Sequence, residues 1–166
     1  MRTIFVTLLT ALVLSGAAMA QPLYDSGWAG VSGGYPGAGV HVGIEDGVGL
    51  EGLSVRLNFG YDYVAPVGFA IGADLLYALP LDTGDLPGGV YIGVGGSTIL
   101  STSFTVHGFA GLEVPLAEVG LDLGMNEFSI FAEGGVNYGL NVFDGADASN
   151  TIGFVGRAGV NYHFDF

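Results

Sequence analysis

The side chains that could carry out chemistry in this sequence are three histidines, a few arginines and acids, and two acidic loops. His41, His107 and His163 are far apart in the chain, and no His-x-His and no nearby His-Ser-acid arrangement accompanies them. Metal binding or general-base catalysis requires partners that converge on one histidine. We therefore expect no catalytic residues, no metal centre and no cofactor, and we predict that the protein is not an enzyme.

Oxygen ligands for a divalent cation occur in two loops. Asp82 and Asp85 lie in one loop, and Asp144, Asp147 and Asn150 lie in the other. Neither group follows the spacing of an EF-hand calcium loop. Calcium coordination stays open as an interpretation, but solvated acidic loops are the simpler one.

Several charged residues lie in stretches where apolar and polar side chains alternate every two residues, which is typical of β-strands. The alternation predicts which face of a strand each charged residue is on. A tight hairpin centred on Ala65 places Arg56 opposite Asp74, with both on the non-apolar face. Arg157 and Glu133 lie near each other across the last hairpin. These pairs could be gating or selectivity groups, but interior ion pairs that stabilise the fold are the favoured interpretation, because an unpaired buried charge is costly.

The alternation recurs in eight segments of roughly ten residues separated by turn residues, which predicts an all-β, up-and-down antiparallel barrel. Trp28 and Val31 fall on opposite faces of the first segment, so its orientation is undecided. Most charged residues within the strands share the non-apolar face, which favours a transmembrane barrel with a polar lumen. A soluble barrel with an apolar interior remains the alternative. The other polar residues predicted on the lumen face are Asn58, Asp62, His107, Glu113, Asn137, Asn161 and His163.

Composition supports this class of protein and excludes others. The 166 residues are 50% hydrophobic and only 11% charged, whereas about 25% charged residues are usual in a soluble domain. Three arginines, no lysine and 16 acidic residues give a net charge of −13. Nucleic-acid binding is therefore excluded, because phosphate contacts require a basic surface. No cysteine is present, so disulfides and thiolate chemistry are excluded as well.

The first 20 residues have the features of a cleaved export signal. Arg2 supplies the positive start, residues 4–14 form an apolar run too short to span a membrane, and residues 18–20 form a small-x-small cleavage site. We expect residues 21–166 to form a single domain outside the cytoplasm.

Glycine is abundant on the face predicted to line the lumen, for example Gly93, Gly111 and Gly159 among the 31 glycines of the chain. The interior of an eight-stranded barrel is just wide enough for side chains to fill it. Missing side chains therefore imply either a water-filled cavity or a tightened barrel, and both interpretations stay open.

The last seven residues, from Val160 to Phe166, alternate aromatic residues and end on phenylalanine. This stretch resembles the C-terminal signature strand of bacterial outer-membrane β-barrels. Residues 111–113 and 128–133 are similar to the periplasmic turn region of small eight-stranded barrels of the OmpA, OmpX and OmpW type. The resemblance implies a bacterial outer-membrane location, contact with membrane lipid, and recognition by the barrel-assembly machinery through Tyr162, Phe164 and Phe166.

Three functions follow as expectations. The first is a structural or surface role in the cell envelope, with the lumen closed by polar and charged side chains. The second is a narrow pore or lateral conduit for small or apolar solutes. The third is a soluble secreted barrel that binds a small apolar ligand, and a barrel enzyme acting on lipids is the least favoured.

Overall fold

The computed structural model describes residues 26–46, 50–64, 67–80, 88–99, 103–118, 127–140 and 151–166. The predicted export signal and the oxygen-rich groups of residues 82–85 and 144–150 lie outside these residues. Within the described residues no helix is long and apolar enough to cross a membrane.

Eight antiparallel strands form a closed barrel in which each strand pairs with its neighbours in sequence and β1 pairs with β8. The strands are β1 (Ser26–Tyr35), β2 (Gly37–Ile44), β3 (Leu53–Asp62), β4 (Gly68–Ala78), β5 (Gly89–Ile99), β6 (Ser103–Pro115), β7 (Phe128–Leu140) and β8 (Thr151–Asp165). The predicted fold class is therefore confirmed. We call the end of the barrel that holds Ser26 and Phe166 the terminal end, and the other the opposite end.

Two hairpins carry charged residues directly opposite each other. Arg56 lies opposite Asp74 in the β3–β4 pair, and Glu133 lies opposite Arg157 in the β7–β8 pair. Because side chains alternate across a strand, all four point to the same side of the sheet, which is the lumen.

The outside of the barrel is apolar and the inside is largely polar. Large hydrophobic side chains such as Val94, Phe69 and Phe154 are at least half exposed on the outer face, while Arg56 and Asp74 are the most deeply buried side chains. This arrangement is the reverse of a soluble barrel, in which apolar side chains point inward. Exposed apolar surface of this extent is unusual for a monomeric soluble protein.

Two aromatic rows lie on the outer face. At the terminal end Phe128, Tyr162, Phe164 and Phe166 contact one another in sequence, with centroid separations of 5.1, 6.2 and 5.3 Å. Towards the opposite end the rings of Phe59 and Tyr61 contact Phe69. Aromatic residues at two levels are typical of the interfacial girdles of a transmembrane barrel.

The first strand resolves the orientation that the sequence left undecided. Trp28 points into the lumen and is 6% exposed, whereas Val31 points outward and is 57% exposed. Both residues are apolar, so hydrophobicity alone could not separate them. The lumen accepts Trp28 because its ring lies over Gly43, the residue directly opposite on β2.

Candidate functional site

Aromatic side chains fill the lumen from its terminal end to its middle, and each lies directly opposite a glycine on the neighbouring strand. The pairs are Trp28 with Gly43, Tyr91 with Gly111, Phe109 with Gly93, and Phe131 with Gly159. A Cβ atom added at any of these glycines would meet the opposing ring, at 2.7 Å from Phe131 Cε1 in the case of Gly159. The glycines therefore make room for rings, and this half of the lumen is tightened rather than hollow.

A charged cluster fills the middle of the lumen above these rings. Arg56 donates to Asp74 Oδ2 through Nε at 3.0 Å and through Nη2 at 2.8 Å. It also donates through Nη1 to Glu133 Oε1 at 2.6 Å. Because β3 and β7 are not neighbours, this contact crosses the lumen. The seven residues that we call the central cluster are Arg56, Asn58, Asp74, Tyr91, His107, Glu133 and Arg157.

The second arginine of the central cluster joins the same two carboxylates. Arg157 donates through Nη2 to Asp74 Oδ2 at 3.0 Å and through Nε to Glu133 Oε2. Tyr91 donates its hydroxyl to Glu133 at 2.6 Å, and His107 Nε2 lies 2.8 Å from Asp74 Oδ1. Asn58 also donates to Asp74 Oδ2 at 2.9 Å, so each carboxylate is bound by both arginines and by at least one further side chain.

The ring of Phe109 closes the lumen beside the two guanidinium groups. The Cζ atoms of Arg56 and Arg157 lie 5.2 and 5.3 Å from the ring centroid, within the range of a cation–π interaction. Phe109 is a large apolar residue on a strand face that otherwise carries polar and small residues. Its role is to cover Gly93 and to contact both arginines.

The central cluster is electrically balanced and fully hydrogen-bonded. Two arginines face two carboxylates, and no buried side-chain nitrogen or oxygen among the described residues lacks a hydrogen-bond partner. Buried ions are tolerated when partners of opposite charge and hydrogen bonds replace the lost water. The cluster can therefore act as a cross-brace between strands on opposite sides of the barrel.

A second polar group, the terminal cluster, lies nearer the terminal end. His163 Nε2 lies 2.9 Å from Glu113 Oε1, and its Nδ1 lies 3.3 Å from Glu45 Oε1, in the turn that follows β2. The hydrogen bond from His163 holds the pKa of the Glu45 carboxyl below its ordinary value, against the opposing effect of burial. The members of the terminal cluster are Ser26, His41, Glu45, Glu113, Ser129, Asn161 and His163.

The terminal cluster contains a Ser-His-acid arrangement that the sequence analysis had not found. Ser129 Oγ lies 3.0 Å from His163 Nε2, and Glu45 is hydrogen-bonded to the other ring nitrogen. Ser129, however, donates its hydroxyl hydrogen to Glu113. A carboxylate at each ring nitrogen favours an imidazolium that donates on both sides, so His163 cannot accept a proton from Ser129. Since Ser129 is also only 2% exposed, the arrangement resembles a triad in distances but not in chemistry.

A cavity of about 140 Å³ lies above the central cluster and reaches the opposite end. Glycine, alanine and serine line much of its wall, and Asp62 lies near its rim. We call this cavity the cup. Among the described residues, no three His, Cys, Asp or Glu side chains are arranged to hold a metal ion.

The structure divides the predicted lumen residues among three places. Arg56, Asn58, Asp74, His107, Glu133 and Arg157 meet in the central cluster, Glu113, Asn161 and His163 meet in the terminal cluster, and Asp62 and Asn137 line the cup. Tyr162, Phe164 and Phe166 lie on the outer face, in the aromatic row at the terminal end. Sequence reasoning missed Tyr91, Ser129 and Phe131. A signal for two of them was present, since Tyr91 and Phe131 stand on the lumen face opposite glycines.

These features define a small up-and-down barrel with an apolar exterior and a braced, polar interior. Its fold is similar to that of the N-terminal β-barrel domain of Pseudomonas aeruginosa OprF, with a TM-score of 0.50 and 14% identity over 85% of this chain and 98% of that one. Neisserial surface protein A, NspA, matches at a TM-score of 0.46 and 16% identity over 85% of this chain and 96% of that one. No protein-family model and no curated protein sequence matches the chain. The predicted small, closed eight-stranded barrel fold is confirmed.

Proposed function

We propose that this protein is a small barrel of the bacterial outer membrane with a structural or surface role in the cell envelope, and that its lumen does not conduct ions. The observation that carries this proposal is the closure of the lumen by the central cluster. Arg56, Asp74 and Glu133 link β3, β4 and β7 across the interior, and the rings of Tyr91 and Phe109 occupy the space beside them.

The outer surface supports the proposed location. Strands of about ten residues rise about 33 Å along their axis and, when tilted by about 40°, cover about 25 Å, which is the height of the apolar band of an outer-membrane barrel. The outer face of the barrel is apolar over such a band, with an aromatic row towards each end. Lipid is therefore the proposed partner of the exterior.

The proposed recognition by the barrel-assembly machinery depends on the last strand. Phe166 is 73% exposed and Tyr162 is 43% exposed, so both rings are accessible on the outer face at the terminal end. Divalent cations at the two acidic loops and the export of the chain by residues 1–20 remain proposals based on the sequence.

We propose further that the barrel is not an enzyme. Within each cluster the acidic residues and histidines bind other members of the same cluster, and the serine beside His163 is buried. An esterase assay with short p-nitrophenyl esters tests this point, since activity that disappears in a Ser129→Ala variant would contradict it.

Conductance in planar bilayers tests the main proposal. Purified protein should show no steady channels, because the central cluster and the rings beside it occupy the lumen. A steady conductance of the unaltered protein would favour the pore instead. Membrane fractionation with heat-modifiable gel mobility tests the location, and solubility of residues 21–166 without detergent would contradict it.

A further inference from the structure

The cup presents polar groups that the central cluster does not use. Glycines form part of its wall, and the lining residues surround about 140 Å³ of space, which is room for several waters or one small solute. The polar residues that matter for recognition are Asn58, Ser97, Thr105, His107, Asn137 and Arg157.

Charged groups of both signs line the cup, but at its floor the guanidinium group of Arg157 is the most exposed of them. The side chains of Asp74 and Glu133 are 0% and 2% exposed, whereas the side chain of Arg157 is 25% exposed. The carboxylates therefore lie beneath the guanidinium. Glu133 also lines the cup, but a solute at the floor would meet the more exposed guanidinium group of Arg157 first.

Arg157 retains hydrogen-bonding capacity at this surface. A guanidinium group has five N–H donors. Within the described residues three of them are used, by Glu133, by Asp74 and, at 3.4 Å, by Asn58. The two remaining N–H groups suit a carboxylate, which guanidinium binds through parallel hydrogen bonds.

Further donors stand beside this position on the wall. Ser97 pairs with Thr105 across β5 and β6, and His107 pairs with Asn137 across β6 and β7, so their side chains form one patch on the lumen face. Ser97, Thr105 and Asn137 make no side-chain hydrogen bond within the described part of the chain. These groups can therefore hydrogen-bond to a bound solute.

Asp62 limits the charge of the solute. It lies four residues above Asn58 on β3, about 13 Å along the strand, and so stands near the rim rather than at the floor. A negative charge at the entrance opposes multiply charged anions more strongly than singly charged ones.

We propose that the cup binds a small monocarboxylate, with its carboxylate on the two remaining N–H groups of Arg157 and its short apolar part against the glycine wall. This site is additional to the proposed structural role and does not depend on it.

Titration of the folded barrel in a neutral maltoside detergent tests the proposal, with amide NMR shifts as the readout. Propionate is the probe, and propionamide, which has the same shape without the charge, is the comparison. We expect shifts centred on residues 97, 105, 137 and 157, and at least tenfold tighter binding of propionate. Equal binding of the two compounds, or no binding of propionate, would overturn the proposal.

Two variants of one residue separate charge from shape. Asn137 makes no hydrogen bond to the central cluster, so Asn137→Asp and Asn137→Ser should both leave the central cluster intact. Heat-modifiable gel mobility verifies that both variants are folded. Asn137→Asp adds a negative charge to the wall of the cup that Arg157 also lines and should weaken propionate binding at least tenfold, whereas Asn137→Ser should weaken it only a few-fold. Equal effects of the two variants would contradict a carboxylate site.

Discussion

The two halves of the lumen are built on the same eight strands but differ in what fills them. From the terminal end to the middle, rings such as Trp28 and Phe109 lie over glycines, and ion pairs brace the barrel above them. Towards the opposite end the lumen face carries mostly glycine, serine and threonine, and a cup remains open. Glycine on a lumen face is therefore not a sign of a pore by itself. A lumen-facing glycine indicates a tightly packed lumen where an aromatic ring lies opposite it. Where no large side chain lies opposite, it indicates an open lumen.

Loss of Arg56 should have the largest effect on the closed half. Arg56→Met leaves Asp74 and Glu133 buried with Arg157 as their one remaining arginine, and removing one partner of a buried ion pair costs about 3–5 kcal/mol. We expect a loss of this size in the free energy of unfolding, measured by urea denaturation in detergent micelles, or a failure to reach the heat-modifiable folded form.

Arg157→Met is the matched control for Arg56→Met. It removes the same charge from the same two carboxylates, but the Arg157 side chain is 25% exposed and the Arg56 side chain is 2% exposed. Water from the cup can therefore replace part of the hydrogen bonding that Arg157 gives the two carboxylates. The loss in the free energy of unfolding should be clearly smaller than for Arg56→Met. Equal losses for the two variants would contradict the distinction between a closed and an open half.

Alanine substitution of one glycine in each half compares their packing directly. In Gly93→Ala the new methyl group would collide with the ring of Phe109, and overpacking of this kind costs about 1–3 kcal/mol. In Gly139→Ala the atom nearest the new methyl group is the Thr151 hydroxyl oxygen at 3.0 Å, which can rotate away. The change in the free energy of unfolding should therefore be close to zero. Urea denaturation of both variants is the measurement, and Phe109→Leu should restore part of the stability of Gly93→Ala.

The fold was predictable from the sequence because each determinant of it is local. Alternation sets the face of each residue, and the turn sets the register of each hairpin, which is why the facing positions of Arg56 and Asp74 could be derived from a turn centred on Ala65. A meander of such hairpins leaves closure of β1 on β8 as the remaining step.

The contacts that cross the lumen were not predictable because they join strands that are not neighbours. Arg56 and Glu133 are 77 residues apart, and His163 and Glu113 are 50 apart. Their meeting depends on the tilt of the strands and on the sizes of the other interior side chains, which no hairpin register specifies. The same reason explains why the sequence analysis found no partner for His163 and did not foresee the cup.

A smaller test addresses the contact between the aromatic packing and the central cluster. Tyr91→Phe keeps the ring over Gly111 but removes the hydroxyl that donates to Glu133 at 2.6 Å. Because Glu133 retains both arginines, we expect a loss of about 1 kcal/mol in the free energy of unfolding. A loss as large as that of Arg56→Met would mean that Tyr91, rather than the arginines, supports the carboxylate.

The smallest expected effect is at the terminal end, where Glu45 joins a turn to His163. The pKa of this carboxyl is lower in the folded protein than in the unfolded chain, so the ionised form stabilises the fold at pH values above the unfolded pKa of about 4.3. That contribution disappears as the pH falls from there towards the folded pKa. The Glu45 side chain is 42% exposed, so solvent screens the pair and its contribution should stay below about 1 kcal/mol. Urea denaturation of Glu45→Gln and of the unaltered protein should therefore differ most near neutral pH and converge near pH 3, whereas a difference independent of pH would show that the carboxylate charge does not hold the turn.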